Sequence, residues 1–161
     1  MYKKYKINEV HLNFLAEAFK VTNIDLSFSI KLRCIGWDKQ ISRDIGSFII
    51  GGDKVATYSL PWLHEQYPWS KSKIGEFILH VEFDGTPFAL VQIIGLELIE
   101  FGEITEEHSK LDGPPVRNLD VWLKLHREYW GNELEPFNKN INPKMPVIIE
   151  KFKCVYSKKI L

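Results

Sequence analysis

Two spacings of apolar residues alternate along the chain and divide it into predicted helices and strands. After Asn8, which can cap a helix, apolar residues recur every three or four positions at Leu12, Leu15 and Phe19. Between residues 30 and 35 the spacing shortens to two, which is typical of a half-buried strand. From Asp38 the spacing lengthens again, and Gly51-Gly52 predicts the end of a second helix.

Strands dominate the prediction for the middle of the chain. Residues 55–60 predict a strand that Pro61 ends, because proline has no amide hydrogen for a neighbouring strand. Residues 61–75 show no sustained period and predict a surface loop. Residues 77–83 and 88–94 predict a hairpin around Asp84-Gly85, and Gly95 predicts a β-bulge before the second strand continues.

The last third predicts two helices and a final strand. Thr105 caps the first helix, and Gly113-Pro114-Pro115 ends it. Asn118 caps the second helix, whose apolar face contains Leu119, Trp122, Leu123, His126 and Trp130. A strand with alternating apolar residues follows Pro146. This order of elements predicts an α+β fold with a mixed or antiparallel sheet, which we interpret as a small β-barrel flanked by helices.

Length and charge restrict the class of protein. A chain of 161 residues with 45% hydrophobic residues predicts one core. We divide it into an N-terminal helical extension, residues 1–28, packed on a domain formed by residues 29–161. The 21 basic residues balance the 21 acidic residues, so no general field attracts nucleic acid or an anionic membrane. The sequence contains no apolar run of 18 residues, and a cytoplasmic location without membrane association is expected.

Cysteines and histidines predict no metal site. Cys34 and Cys154 are far apart and flanked by apolar residues, which predicts buried free thiols. His64-Glu65 has no second histidine at ligand spacing and is predicted to be a solvated loop pair. His126 lies on an apolar stripe, where a core histidine bonded to the backbone is favoured over a catalytic one.

The five tryptophans separate into two groups. Trp37, Trp122 and Trp130 accompany helical faces and are assigned to the core, whereas Trp62 and Trp69 lie in the predicted loop and are candidates for stacking on a ligand.

Lys54 and Thr57 are candidate site residues, but they can act together only if their side chains point the same way. Residues three apart along a regular strand point to opposite faces of the sheet. The two side chains converge only if Lys54 lies before the strand begins. The Gly51-Gly52 turn makes that placement possible.

These residues belong to a longer series of motifs. Lys54 and Thr57 occupy a Gly-x-Lys-x-x-Thr pattern at Gly52–Thr57, followed by Ser59-Leu60-x-Trp62 and Glu65. The later motifs are Phe101-x-x-Ile104-Thr105-Glu106-Glu107-His108, Leu119-x-x-Trp122-x-x-x-His126-x-x-Tyr129-Trp130 and Met145-Pro146-Val147-Ile148-Ile149-Glu150-x-Phe152. In this order they resemble the ASCH domain family, which is related to the PUA RNA-binding fold, over most of the chain.

The resemblance implies a PUA-like pseudo-barrel with a cleft for RNA, a nucleoside or a nucleotide, without a cofactor and without DNA as a partner. Some bacterial relatives deacetylate the exocyclic amine of acetylated cytidine with a threonine, a lysine and a glutamate, and others have been described as ribonucleases. Matched residue by residue, the lysine is Lys54, the threonine is Thr57 and the glutamate falls at Asp112. The ligand-binding residues expected near them are Tyr58, Ser59, Trp62, Glu65 and Arg117.

The segment around Asp112 departs from the family pattern. Larger members carry Glu-Gly-Glu-Gly-Asp-Arg-Ser, whereas this chain has Asp112-Gly113-Pro114-Pro115-Val116-Arg117-Asn118. Two carboxylates are absent, and the first is shorter by one methylene.

Three functions follow as hypotheses. In an amidohydrolase, Lys54 is at least half buried and activates Thr57, while Asp112 assists proton transfer to the departing amine. In a noncatalytic module, Lys54 and Arg117 hold a phosphate or base edge, and Trp62 or Trp69 stacks on a base. In a ribonuclease, Lys54 stabilises charge on the phosphorane while His64 or Tyr58 moves protons. The sequence does not indicate which oligomeric state the protein adopts.

Overall fold

The computed structural model describes residues 4–24 and 30–158, and within these ranges the chain forms five α-helices and five strands. The helices are α1 (Glu9–Thr22), α2 (Lys39–Gly51), α3 (Pro61–Gln66), α4 (Glu106–Ser109) and α5 (Leu119–Leu134). The strands are β1 (Lys31–Arg33), β2 (Ala56–Ser59), β3 (Phe77–Val81), β4 (Pro87–Glu100) and β5 (Pro146–Ser157). The predicted boundary between residues 28 and 29 lies outside the described residues.

The strands form one mixed sheet in the order β1-β3-β4-β5-β2. The long strands β4 and β5 pair antiparallel along most of their length, and β1 lies parallel to β3 at one edge. The register between β4 and β5 shifts between Ile93 and Gly95, which confirms the predicted bulge. The α+β fold with a mixed sheet is therefore confirmed.

The predicted closure of this sheet into a barrel is wrong. Closure requires the two edge strands to pair, but β1 has three residues and β2 has four, and neither pairs with the other in the described chain. Side chains bridge the gap between the edge strands β1 and β2, which we call the open seam. Arg33 on β1 and Ser59 on β2 both donate hydrogen bonds to Glu150 on β5, at 2.6 and 3.1 Å.

Three apolar clusters hold the helices on the sheet. Helix α5 packs Trp122, Trp130 and Leu134 against one part of the sheet, while α2 inserts Ile49 beside Phe152 in another. Helix α1 packs against β3 and β4 in the third cluster. Helix α5 and the seam therefore border the same region of the molecule.

Helix α1 begins at the predicted cap but buries a rotated face. Asn8 accepts a hydrogen bond from the His11 amide, which confirms the cap. The buried residues are His11, Phe14, Leu15 and Ala18, whereas Leu12 and Phe19, expected to be in the core, are 57% and 45% exposed. The rotation follows from tertiary contacts, because the His11 side chain donates a hydrogen bond to the Gly85 carbonyl oxygen at 2.8 Å.

Some of the other local predictions are confirmed and others are wrong. Gly52 ends α2 in the left-handed conformation and Asn118 caps α5, as predicted, and Asp38 caps the start of α2. The predicted loop 61–75 is wrong at its start, because Pro61 occupies the first turn of α3 and Leu63 is buried. The thiols are free, but the prediction that they are buried is wrong. Cys34 is half-buried and Cys154 is exposed.

The helices of the described ranges are all too short or too polar to cross a lipid bilayer.

Gly36 supports the turn from β1 to α2, and its replacement should cost more than an ordinary left-handed glycine. A Cβ atom at Gly36 would lie 2.8 Å from the Ser42 backbone nitrogen, whereas a Cβ atom at Gly52 meets nothing within 4 Å. Both residues have positive φ, at 103° and 78°, so an alanine costs roughly 1–2 kcal/mol at either position from conformation alone. We expect Gly36→Ala to lower the free energy of unfolding in urea by about a further 1–3 kcal/mol beyond Gly52→Ala. Equal losses for the two variants would contradict the packing described for this turn.

Candidate functional site

A cavity of about 450 Å³ occupies the open seam between β1 and β2. Its wall is built from both edge strands, from α2 and α5, and from residues 112–116, including Asp112, Pro114, Pro115 and Val116. The same gap that prevents barrel closure therefore provides a partly open cavity of the size used for small ligands.

Lys54 enters this cavity because the chain turns sharply after α2. Gly52 ends the helix, and the amides of Asp53 and Lys54 both donate to the Phe48 carbonyl oxygen, at 2.8 and 3.0 Å. Lys54 thus precedes β2, which begins at Ala56, so the geometric condition stated for the pair is met. The residue is only 4% exposed, and its ammonium forms an ion pair with Asp112 Oδ1.

Asp112 is held on the opposite side of this ion pair. It is 8% exposed, and its second oxygen, Oδ2, accepts a hydrogen bond from Trp122 Nε1 at 2.8 Å. The Val55 amide also donates to the Leu111 carbonyl oxygen at 2.9 Å, which joins the two segments through the backbone. Gly113 is required here, since a Cβ atom at that position would lie 3.2 Å from Lys54 Cβ.

Thr57 contributes a hydroxyl to the same cavity. The residue is half-buried on β2, and its cross-strand partner on β5 is Glu150. Within the described ranges its hydroxyl forms no hydrogen bond to another residue. The structure therefore brings Lys54, Thr57 and Asp112 to one cavity, with the hydroxyl free to contact a ligand.

A second polar cluster surrounds the buried carboxylate of Glu150. Arg33 and Ser72 donate to its Oε2, at 2.6 and 3.0 Å, and Ser59 donates to Oε1. Burial acts to raise the pKa of Glu150, but the Arg33 guanidinium and the hydrogen bonds outweigh it and lower the pKa below its usual value. Glu150 thus stays ionised, and its carboxylate binds side chains from both edge strands of the seam.

His64 completes this second cluster and corrects the prediction of a solvated loop residue. The ring is buried, with Nε2 2.9 Å from the Ser59 hydroxyl and Nδ1 2.7 Å from the Ser70 hydroxyl. Burial lowers the pKa of His64, although the Glu150 carboxylate opposes that shift. Helix α3 places the ring here, which explains why a loop assignment failed.

Aromatic rings form the remaining wall. Trp37 and Tyr129 are stacked with ring centroids 6.0 Å apart, and Trp69 lies at the rim. The assignment of Trp37 to the core is wrong, because it is 46% exposed and lines the cavity. The predicted loop tryptophan Trp69 does line the cavity, so this wall presents flat apolar surfaces to a ligand.

Two of the predicted ligand-binding residues, Tyr58 and Ser59, line the cavity. The Tyr58 hydroxyl donates a hydrogen bond to the His108 carbonyl oxygen, and its ring packs edge-on against Trp122. Burial raises the pKa of Tyr58 far above its usual value, so its hydroxyl stays protonated. Ser59 is committed to Glu150, as described above.

The other three predicted ligand-binding residues lie outside the cavity wall. Trp62 packs on the α5 cluster, with the Lys139 ammonium 4.6 Å from its ring centroid. Glu65 is on the exposed side of α3. The Arg117 guanidinium points to Asp53, 2.7 Å from its carboxylate, on the protein surface. The same family motifs thus contain both cavity residues and residues with structural contacts.

Several charged or titratable cavity residues were absent from the predicted site, among them Arg33, Glu150 and His126. His126 has the predicted backbone hydrogen bond, from Nδ1 to the Trp122 carbonyl oxygen at 2.9 Å, and its ring also lines the cavity. Glu150 carried a usable signal, because it follows the apolar run Val147-Ile148-Ile149 inside a strand. Arg33 carried no such signal. A search of residues 4–24 and 30–158 finds no group of three His, Cys, Asp or Glu side chains suited to a metal ion.

The ion pair between Lys54 and Asp112 should be strongly coupled energetically. Removal of one partner leaves a buried charge unpaired, so we expect Lys54→Met to lower the free energy of unfolding by about 3–5 kcal/mol at neutral pH. The double variant with Asp112→Asn should lose less than the sum of the single changes, by about 2 kcal/mol or more.

The half-exposed pair Arg117–Asp53 provides the matched control for this double-mutant cycle. Its coupling energy, measured with Arg117→Met and Asp53→Asn, should be below about 1 kcal/mol because solvent screens it. A coupling energy at Lys54–Asp112 as small as that of the surface pair would show that the buried pair is absent in solution.

Comparison with known proteins agrees with the geometry of the fold. A family model described as the ASCH domain matches residues 32–156. A search of curated proteins found no match. Among solved structures, an ASCH domain from Lactobacillus crispatus JV V101 has a TM-score of 0.85 and 20% sequence identity, covering 97% of this chain and 99% of that chain.

A second solved structure, of protein EF3133 from Enterococcus faecalis V583, has a TM-score of 0.77 and 18% identity, covering 91% of this chain and 88% of that chain. At these identities the structures show a shared fold, while the family assignment comes from the family model. That model matches most of the chain, and the resemblance found in the sequence is confirmed: the protein belongs to the ASCH domain family.

Proposed function

We propose that this protein hydrolyses the exocyclic amide of an acylated nucleoside such as N4-acetylcytidine. The observation that carries the proposal is the convergence of Lys54 and Thr57 with Asp112, which is distant in sequence, on one cavity. An amine, a hydroxyl and a carboxylate in one shielded space are the groups that acyl transfer requires.

The cavity suits a neutral nucleoside in both size and charge. Its volume lies within the range of small-molecule sites, and aromatic rings form one wall on which a base can stack. The charged side chains around it balance, since Lys31, Arg33 and Lys54 face Asp44, Asp112 and Glu150. The wall therefore carries no net charge from these side chains, which suits an uncharged ligand.

In the proposed reaction Thr57 is the nucleophile. Its Oγ forms a bond to the acyl carbon, the carbon–nitrogen bond then breaks, and cytidine leaves with a proton on its amine. Water hydrolyses the resulting ester on Thr57 and releases acetate. Each step is a standard part of covalent acyl transfer.

The ion pair gives Lys54 a different role from the one that the family resemblance implies. The Asp112 carboxylate stabilises the ammonium beside it, so Lys54 is suited to stabilise the oxyanion on the acyl oxygen rather than to take a proton from Thr57. Asp112 then acts by holding the ammonium in place.

A test of this proposal is the release of cytidine from N4-acetylcytidine, measured by chromatography with mass identification. Thr57→Val removes the hydroxyl at constant shape and should lower kcat at least about a thousandfold, as expected for loss of a nucleophile. Thr57→Ser keeps a hydroxyl and should retain measurable turnover. Thr86→Val, in the exposed hairpin turn between β3 and β4, is the matched control and should turn over like the wild-type protein.

Full turnover by Thr57→Val would remove Thr57 from the mechanism. Absence of turnover by the wild-type protein on acetylated cytidine and on related acylated nucleosides would overturn the hydrolase proposal itself.

A noncatalytic nucleoside-binding module is the second candidate, and the stacked pair of Trp37 and Tyr129 favours it. A base held on this wall needs no chemistry from Thr57. In that case, cytidine should bind without being changed, and binding should persist in Thr57→Val.

Under either function, the aromatic wall should contribute to binding. We expect Trp37→Ala to weaken the binding of cytidine by about 1–3 kcal/mol, whereas Trp37→Phe keeps a stacking face and should lose less. Isothermal titration calorimetry measures both affinities. Equal affinity of Trp37→Ala and the wild-type protein would show that the ligand lies elsewhere, and cleavage of a short RNA strand would favour the ribonuclease hypothesis instead.

A further inference from the structure

The ring of His126 is fixed in orientation by aromatic neighbours. It stacks on Trp122 with ring centroids 3.7 Å apart and an interplanar angle of 19°. Trp130 and Tyr58 contact it edge-on, at centroid distances of 4.7 and 5.8 Å. A ring packed on three sides cannot turn to exchange its two nitrogens, so each nitrogen has a defined environment.

The hydrogen bond from His126 to the backbone defines which nitrogen carries the proton. Nδ1 lies 2.9 Å from the Trp122 carbonyl oxygen, and a carbonyl oxygen only accepts, so Nδ1 is the protonated nitrogen. Nε2 lies 3.7 Å from Asp112 Oδ2, which is too long for a hydrogen bond. Burial lowers the pKa of His126 to about 4, so the ring is neutral near pH 7.

Nε2 therefore carries a free lone pair. Within residues 4–24 and 30–158 it has no hydrogen-bond partner, and the ring forms part of the cavity wall. Nε2 is not among the buried side-chain atoms that lack a partner in the described ranges, so it is open to the cavity. A ligand or a water molecule in the cavity can therefore donate an N–H or O–H group to this atom.

Of the two charges near His126, the Asp112 carboxylate favours a proton that arrives at Nε2 and the Lys54 ammonium opposes it. Asp112 faces Nε2, and Lys54 lies behind Asp112 in the ion pair. The hydroxyl of Tyr58, the other titratable group packed on the ring, stays neutral. A proton on Nε2 would place the imidazolium beside the Asp112 carboxylate, whose negative charge stabilises it.

We propose that His126 is the proton acceptor and donor of the hydrolytic reaction, an inference that rests on the proposed function. As Thr57 Oγ bonds to the acyl carbon, its proton passes to Nε2, directly or through one water. Lys54 remains an ammonium and stabilises the oxyanion. When the carbon–nitrogen bond breaks, the imidazolium returns the proton to the departing amine of cytidine.

The second half of the reaction uses the same atom. Water attacks the acyl carbon of the Thr57 ester and gives one proton to Nε2. The imidazolium then protonates Thr57 Oγ as acetic acid leaves, and the acid ionises to acetate in solution. The side chains end as they began, and no oxidant, metal or further reactant is needed.

The protonation state of His126 can be tested in the wild-type protein by nitrogen-15 NMR. Long-range correlations from the ring protons distinguish a protonated ring nitrogen from an unprotonated one. We expect Nδ1 to be protonated and Nε2 to be unprotonated at pH 7. A proton on Nε2 at that pH would overturn the proposal whether or not the protein is an enzyme.

The catalytic role is tested with His126→Gln in the cytidine-release assay. We expect kcat to fall by about 10²–10⁴-fold, the usual contribution of a general acid–base group, with KM changed only a few-fold. His80→Gln is the matched control, because His80 is also a buried histidine, 1% exposed against 8% for His126, but lies outside the cavity wall. Its kcat should stay near that of the wild-type protein.

The outcomes separate the two proposals. Turnover by His126→Gln within a few-fold of wild type would overturn the role of His126 and leave the hydrolase function intact. An equal fall in kcat for His80→Gln would show that the loss reflects packing, and it would also overturn that role. No turnover by the wild-type protein would overturn the function and with it the catalytic role.

Discussion

The buried ion pair between Lys54 and Asp112 determines how three distant parts of the chain meet. Taking two charges out of water costs several kcal/mol for each ion unless they are paired and hydrogen-bonded. Lys54 and Asp112 satisfy each other, and Trp122 satisfies the second carboxylate oxygen. The turn after α2, the segment before Pro114 and helix α5 must therefore come together, and the cavity forms where they meet.

The open seam of the sheet provides the cavity whose wall contains this ion pair. A closed barrel would fill the space between β1 and β2 with backbone hydrogen bonds, whereas here Arg33 reaches across it to Glu150. One end of the cavity is thus anchored by Arg33 and Glu150, and the other by Lys54 and Asp112. The hydroxyl of Thr57 and the neutral ring of His126 line the same cavity.

Local features of the fold could be predicted from the sequence because they depend on neighbouring residues. Asn8 as a cap, Gly52 as a helix end and Gly95 as a bulge are examples. Contacts between distant segments could not be predicted. The hydrogen bond from His11 to Gly85 determines which face of α1 is buried. The gap between β1 and β2 cannot be recognised from the alternation of apolar and polar residues along the strands.

The site was predictable to the same extent. The family motifs indicated Lys54, Thr57 and Asp112 as site residues. They also contain Glu150, but its pairing with Arg33 depends on the sheet order and could not be predicted. A crystal structure of Thr57→Val soaked with N4-acetylcytidine tests the account most directly. It should show the base against Trp37, the acetyl group beside residue 57 and Lys54 still paired with Asp112. A ligand outside the seam, or Lys54 extended into solvent, would contradict the account.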